Sequence, residues 1–368
     1  MKVLFINVVS GIKSTGRIVA EQAEKYMAEG HEVRIAYGRE TAGAKYEKIS
    51  YRITSESDVK INALKARLFD NEGFNAKVQT EKFINWANTY NPDVLWLHNL
   101  HGYYLNIEKL FQWIKTRPGM QVRWTLHDCW AFTGHCSHFS VVKCDSWKTQ
   151  CRNCPLKKSY PTSLFFDNSV NNYKKKKQLF CGVKNMTIVT PSQWLADRVK
   201  QSFLKEYPVE VVHNKIDTTV FKPTQGDFRK RYGLLNKKIV LGVATAWIRE
   251  KGLYDFIKLS SMLEDSYKIV LVGLTKKQIS ELPTSILGIE RTDSMAQLAE
   301  LYTTSNVFVN LTYQDTYPTV NLEAQACGTI CLTYATDGAV ETVPQDCVVA
   351  QGDLEQMVRR IKEVCLEG

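Results

Sequence analysis

The sequence predicts an α/β protein of two doubly wound, Rossmann-like domains facing a cleft. Three observations carry this. Short continuous apolar runs, typical of strands buried on both faces, alternate with segments of helical spacing. The alternation runs through twice, once in each half of the chain, which describes two such domains. The 368 residues also exceed what one hydrophobic core usually holds.

Composition narrows the class. Apolar content of 44% and charge of 23% are ordinary for a soluble globular protein. No run of about 18 apolar residues occurs, so no membrane-spanning helix is expected. The opening MKVLFINVVSG reads as a first strand rather than a signal peptide. Ten cysteines without a secretion signal argue against a disulfide scaffold, and the expected location is cytoplasmic. The net charge of +10 is uneven. Residues 1–222 carry 33 Lys and Arg against 20 Asp and Glu, or +13; the remainder carries 15 against 18, or −3. A basic first half suits an anionic membrane face, a phosphate-bearing acceptor or nucleic acid, with a merely solubilising surface as the plain alternative.

The first domain is expected over residues 1–222. Val3–Val8 is a strand, Ser10–Gly16 a glycine-punctuated loop, and Ile18–Met27 a helix. His31–Gly38 is the second strand, and residues 39–80 read as helices and loops. Asp93–Leu97 delivers His98, Asn99, His101 and Gly102 at its C-terminal end; Val122–Leu126 delivers His127 and Asp128. Open α/β sheets bind ligands at such ends. A neutral imidazole can meet a hydroxyl, and a carboxylate can fix its tautomer.

A cysteine-rich insertion, 129–154, follows. Cys136, Cys144, Cys151 and Cys154 give C-x7-C-x6-C-x2-C. That set suits one structural zinc, with His135 and His138 as substitute ligands; reduced buried thiols or a disulfide are the alternatives. Lys174–Lys177 is a four-lysine run that reads as a solvated face. Strands at Thr187–Thr190 and Val209–His213 close the domain, and the boundary is placed near Pro223.

The second domain, 223–352, opens with the strand Ile239–Ala244 and the loop Thr245–Gly252 (TAWIREKG) before a helix. Lys268–Val272 and Leu287–Arg291 are further strands, and Met295–Tyr302 is a helix. Asn306–Leu311 then feeds a polar turn, and Val320–Cys327 reads as a helix opened by Pro318 and Thr319 and closed by Gly328. The turn's N–H groups and the helix dipole favour an anion there, while carboxylates such as Asp315 and Glu323 can accept from sugar hydroxyls. Together these describe a nucleotide-sugar site. Residues 353–368 form an amphipathic terminal helix.

The stretch Leu311–Gly328, LTYQDTYPTVNLEAQACG, resembles the signature of family 4 retaining glycosyltransferases of the GT-B fold: two Glu with seven residues between them, then Ala-x-Ala-x-Gly. Glu323, Ala324, Ala326 and Gly328 are in register, and Asp315 stands where the first Glu is usual. The resemblance implies transfer of a sugar from a nucleotide-sugar donor to a glycan or a polyprenyl-diphosphate-linked saccharide in bacterial surface-polysaccharide assembly. The catalytic set it implies is His127, Asp128, Arg249, Lys251 and Asp315, with His98 or His101 as rivals for the role of His127. Lys251 matches the family's diphosphate-binding Lys; Ala246 occupies the family's Arg position, with Arg249 the local substitute. The implied donor-binding set is Gly11, Thr15, Gly16, Tyr317, Thr319, Val320, Glu323 and Arg291. No cofactor for catalysis is implied, since D-x-D is missing, and no nucleic-acid partner. A peripheral place at the inner face of the plasma membrane follows from the acceptor and the basic first half. The terminal helix of such proteins often crosses back to the first domain. The competing readings are an epimerase-like nucleotide-sugar enzyme on the same fold, and a zinc-containing nucleic-acid-binding protein.

Overall fold

The computed structural model describes residues 1–367, so Gly368 of the expected terminal segment lies outside the described residues. The chain divides into two compact units, Met1–His213 and Asn214–Gly368.

Unit 1 runs β1 (Lys2–Asn7), α1 (Lys13–Ala28), β2 (Glu32–Tyr37), β3 (Ser50–Arg52), α2 (Glu56–Phe69), α3 (Lys77–Tyr90), β4 (Val94–Leu97), α4 (Ile107–Lys115), β5 (Gln121–Thr125), α5 (Ser169–Phe180), β6 (Met186–Thr190), α6 (Gln193–Gln201) and β7 (Val209–Val211). The sheet order is β3-β2-β1-β4-β5-β6-β7, all parallel. Period-2 alternation sends the two faces of β1 to different cores. Leu4 and Ile6 join Phe83, Phe111, Trp124 and Phe180, while Val3 and Phe5 pack with Val19 and Ala23 of α1. Helix starts follow side-chain capping: Ser55, Asn106 and Ser192 accept from the N–H groups of Asp58, Lys109 and Leu195.

Two expectations change here. Helix α1 begins at Lys13, so Thr15 and Gly16 stand in its first turns rather than in a loop. The turn proper is at Gly11, with φ +69°, whose N–H donates to the Gly16 carbonyl at 3.2 Å. A Cβ at Gly11 would fall 2.2 Å from the Tyr46 ring, so the position needs glycine twice over. The lysine run is not one solvated face either: Lys176 is 1% exposed. It lies on the inward stripe of α5 with Asn172, Tyr173 and Phe180.

Unit 2 runs α7 (Phe228–Arg231), β8 (Lys238–Val243), α8 (Leu253–Met262), β9 (Tyr267–Val272), α9 (Lys276–Ser280), β10 (Ile286–Ile289), α10 (Met295–Thr304), β11 (Val307–Asn310), α11 (Thr319–Ala326), β12 (Cys331–Tyr334), β13 (Val348–Val349) and α12 (Leu354–Glu367). The parallel sheet has the order β10-β9-β8-β11-β12-β13. Val240, Leu332, Met357 and Ile361 form one core, and Leu241, Tyr302, Phe308 and Ala324 the other. The terminal helix α12 packs on α8, β11 and β12 of its own unit. The division falls after His213, earlier than Pro223, because Ile216, Val220 and Phe221 pack into the unit 2 core. Among the described residues no helix is long and apolar enough to cross a membrane.

Candidate active site

Each sheet has one topological switch point, where successive connections leave in opposite directions and a crevice opens at the strand ends. In unit 2 it lies between β8 and β11. The loops leaving these two strands carry Lys251 and Asp315. They are laced together: the Tyr313 N–H donates to the Glu250 carbonyl at 2.8 Å. Gly252 has φ +77°, and a Cβ there would fall 2.3 Å from the Leu311 carbonyl oxygen. Only glycine allows that approach.

This lacing sets the chemistry. Lys251 Nζ donates to Asp315 Oδ2 at 2.6 Å, both side chains partly exposed. Asp315 Oδ1 accepts the Tyr317 N–H at 3.2 Å, and the Asp315 carbonyl accepts the Gly338 N–H at 3.1 Å. Pro318 has no N–H to offer, so Thr319 and Val320 present the first amides of α11. The structure therefore brings Lys251, Asp315, Tyr317, Thr319 and Val320 together at one helix start. Glu323 is buried, and its Oε2 accepts from the Tyr302 hydroxyl at 3.0 Å. Burial first, then the Glu323 charge, push the Tyr302 phenol well up, so it stays a donor. Arg249 is exposed on the same turn as Lys251, and Arg291 is exposed just past edge strand β10.

In unit 1 the switch point lies between β1 and β4. Gly11 follows β1, and the histidines follow β4 and β5. His98 Nδ1 and His127 Nε2 share a hydrogen bond of 3.0 Å, so one ring donates and the other accepts. Burial lowers both: His98 well below its ordinary range, His127 to about 4. Both are neutral near pH 7. Asp128 takes a different partner, with its Oδ2 2.8 Å from His101 Nε2 and its Oδ1 accepting from the Trp130 N–H. Burial alone would raise Asp128; the His101 charge and hydrogen bond reverse this and hold it at about 2. His101 Nδ1 in turn meets the Tyr160 hydroxyl at 2.9 Å.

Sequence reasoning missed Tyr160 and the buried Glu72, whose Oε1 accepts the Gly102 and Tyr103 N–H groups. Neither has a local signal, since each acts on residues dozens of positions away. A pH dependence follows from the histidine pair. The unfolded chain titrates near 6.5, above the folded values, so it takes up more protons as pH falls. The pair's contribution is full above about pH 6.5 and is lost toward pH 4. Melting curves from pH 7.5 down to about 4.5 should fall more steeply for the native chain than for His98→Gln/His127→Gln; equal slopes would refute the assignment.

The four expected zinc ligands, Cys136, Cys144, Cys151 and Cys154, are all free thiols. With His135 they line one small cavity of about 20 Å³. Among the described residues, no three His, Cys, Asp or Glu side chains stand in an arrangement that could hold a metal ion. His135 is held by Asp70, Nδ1 to Oδ1 at 2.5 Å.

The family model for glycosyl transferases group 1 matches residues 224–368, the whole switch-point apparatus of unit 2. The match stops short of half the chain. Curated relatives share sequence with part of the chain. A protein of Escherichia coli named as a colanic acid biosynthesis glycosyl transferase, WcaC, is 32% identical over 135 residues, 35% of this chain and 32% of its own. The N,N'-diacetylbacillosaminyl-diphospho-undecaprenol alpha-1,3-N-acetylgalactosaminyltransferase of Campylobacter jejuni is 29% identical over 119 residues, 32% of this chain and 31% of its own. The chain thus spans about a third of the length of these two relatives. Anabaena HepE, solved in complex with UDP, superposes with a TM-score of 0.67 at 15% identity, over 100% of this chain and 90% of its own. That likeness is one of fold: two doubly wound units of the GT-B class.

Proposed function

We propose that the chain is a glycosyltransferase that moves a sugar, with retention, from a nucleotide-sugar donor to a glycan or polyprenyl-diphosphate-linked saccharide in surface-polysaccharide assembly. The observation that carries this is the Lys251–Asp315 pair at the start of α11, in the stretch that the glycosyl transferases group 1 model matches. A diphosphate needs positive charge that is already in place, and a lysine fixed beside helix-start amides supplies it. The Asp315 carboxylate holds Lys251, and its second oxygen, which accepts one bond from the Tyr317 N–H, keeps a lone pair for a donor-sugar hydroxyl. Glu323, a turn further in, serves the ribose. His127, neutral and half-buried, serves the transferred sugar as a hydrogen-bond partner. The relatives' names support the same class: one names a diphospho-undecaprenol acceptor, and a structural neighbour was solved with UDP.

Stereochemistry tests the reading. An α-linked UDP-sugar donor should give an α-linked product by NMR, and a β-linked product would defeat it. Glu323→Gln should raise the donor KM while leaving kcat largely intact, and Asp315→Asn should chiefly lower kcat. The reverse division would overturn these roles.

A structural zinc on Cys136, Cys144, Cys151 and Cys154 belongs to the same proposal. Zinc prefers four soft thiolates, and the hydrogen bond with Cys136 lowers the Cys154 thiol. Because among the described residues no three of these side chains stand in ligand positions, the ion would have to draw them together around the small cavity that they line. The ion would order the segment that follows His127. Protein purified without added metal should hold about one zinc per chain, and chelation should lower its melting temperature. Zinc-free, folded protein with titratable thiols would exclude it.

A further inference from the structure

Helix α2 ends on a surface that the transfer reaction does not use. Its outward face carries Ile61, Leu64 and Leu68, spaced three and four residues apart and so on one side of the helix. Ile61 and Leu64 are 52% and 54% exposed. Lys60 and Arg67 flank this stripe on one side and Lys65 on the other, all exposed. The inward face is Val59, Asn62, Ala63 and Ala66. The apolar outer stripe is therefore surplus to the core.

A second segment extends it. The loop 163–168 lies on the last turn of α2: the Leu164 N–H donates to the Arg67 carbonyl at 2.8 Å, and the Asn168 N–H donates to Asp70 Oδ2 at 2.7 Å. This loop holds Leu164, Phe165 and Phe166 outward, the two phenylalanines 67% and 58% exposed. Phe166 stacks on exposed Phe69, ring centroids 6.4 Å apart. Lys157 donates to the Phe165 carbonyl, and Lys158 stands exposed beside it in the chain. Two segments nearly a hundred residues apart thus place their exposed apolar side chains side by side, with lysines and arginines around them. Such a patch marks an interaction surface.

We infer that this face of unit 1 docks on an anionic lipid bilayer, with the phenylalanines entering the interface and the basic flank meeting headgroup phosphates. Charge decides the occupant. Around the apolar patch Lys60, Lys65, Arg67, Lys157 and Lys158 outnumber Asp58 and the exposed Asp167, in the half of the chain that holds an excess of +13. An aromatic and aliphatic stripe with a Lys/Arg border is the pattern that binds lipid interfaces, each basic residue adding attraction to an anionic surface. The inference deepens, and rests on, the reading of a lipid-linked acceptor. It is tested without donor or transfer, so its failure and the failure of that reading are separable.

The experiment is sedimentation of the full chain with vesicles of phosphatidylcholine alone and of phosphatidylcholine with phosphatidylglycerol. Binding should require phosphatidylglycerol and should weaken as salt rises. Phe165→Ser/Phe166→Ser should reduce it at least roughly tenfold at an unchanged melting temperature, and Lys60→Glu/Lys65→Glu should do the same while flattening the salt dependence. Equal binding to both vesicles, no binding to either, or phenylalanine variants that bind normally would each overturn the inference. Light scattering that shows a dimer dispersed by the phenylalanine changes would assign the face to a second copy of the chain instead.

Discussion

Lys251→Ala should slow sugar transfer by about 2–4 kcal/mol of barrier, or roughly thirtyfold to a thousandfold in kcat. The ammonium is held by Asp315 at 2.6 Å and backed by two laced loops, so the charge needs no rearrangement when the diphosphate departs. The loss should appear in kcat more than in donor KM, because the charge that matters develops during bond breaking. Lys251→Arg should recover only part of it, since a planar guanidinium cannot occupy the point position of an ammonium. Steady-state kinetics with a UDP-sugar donor measures both. A rate within threefold of the native one for Lys251→Ala would remove Lys251 from the mechanism. Arg249→Ala separates the neighbouring roles: a comparable loss would show that Arg249 fills the place of the residue replaced by Ala246.

Lys176→Ala should destabilise unit 1 by about 2–4 kcal/mol. The ammonium donates to the Trp130 and Thr133 carbonyls at 2.8 and 3.1 Å and sits 3.4 Å from the Trp130 ring centroid. Truncation takes this donor from the Thr133 carbonyl, leaves the Trp130 carbonyl only the 3.4 Å bond from the Thr133 N–H, and opens a hole beneath the indole. Burial lowers the Lys176 amine to about 7. The unfolded chain binds more protons than the folded one above that value, so this group's contribution to stability rises from about pH 7 toward 10.5. Denaturant titration at pH 7 and 9 should show the rise in the native chain and its absence in Lys176→Ala. A native chain with no such rise would contradict the burial argument.

Much of this was legible in the residues. The apolar runs at Val3–Val8, Val122–Leu126 and Ile239–Ala244 lie on strands because parallel sheets covered on both faces need continuous hydrophobicity. The polar turn before α11 was readable from Pro318 and the acids around it. The edge strand β3, three residues within a stretch that reads as helices and loops, carries no such run and depends on its neighbour. Lys176 could have been placed inside from phase, because Tyr173 and Phe180 fix the inward side of α5 and Lys176 falls on it; composition alone suggested solvent. Tyr160 meets His101 across 59 positions, and the loop 163–168 meets α2 across nearly a hundred. Contacts of that kind arise from how loops settle on a finished sheet, and no local pattern encodes them.

The lysine run also gives the fold a chemical clock. An amine-reactive label offered to the native chain meets Lys174, Lys175 and Lys177 at the surface, but reaches Lys176 only when α5 lifts from Trp130. Three of four adjacent amines then report the reagent, and the fourth reports the opening. Mass spectrometry of one short peptide would thus time the breathing of unit 1 against an internal standard that the sequence itself provides.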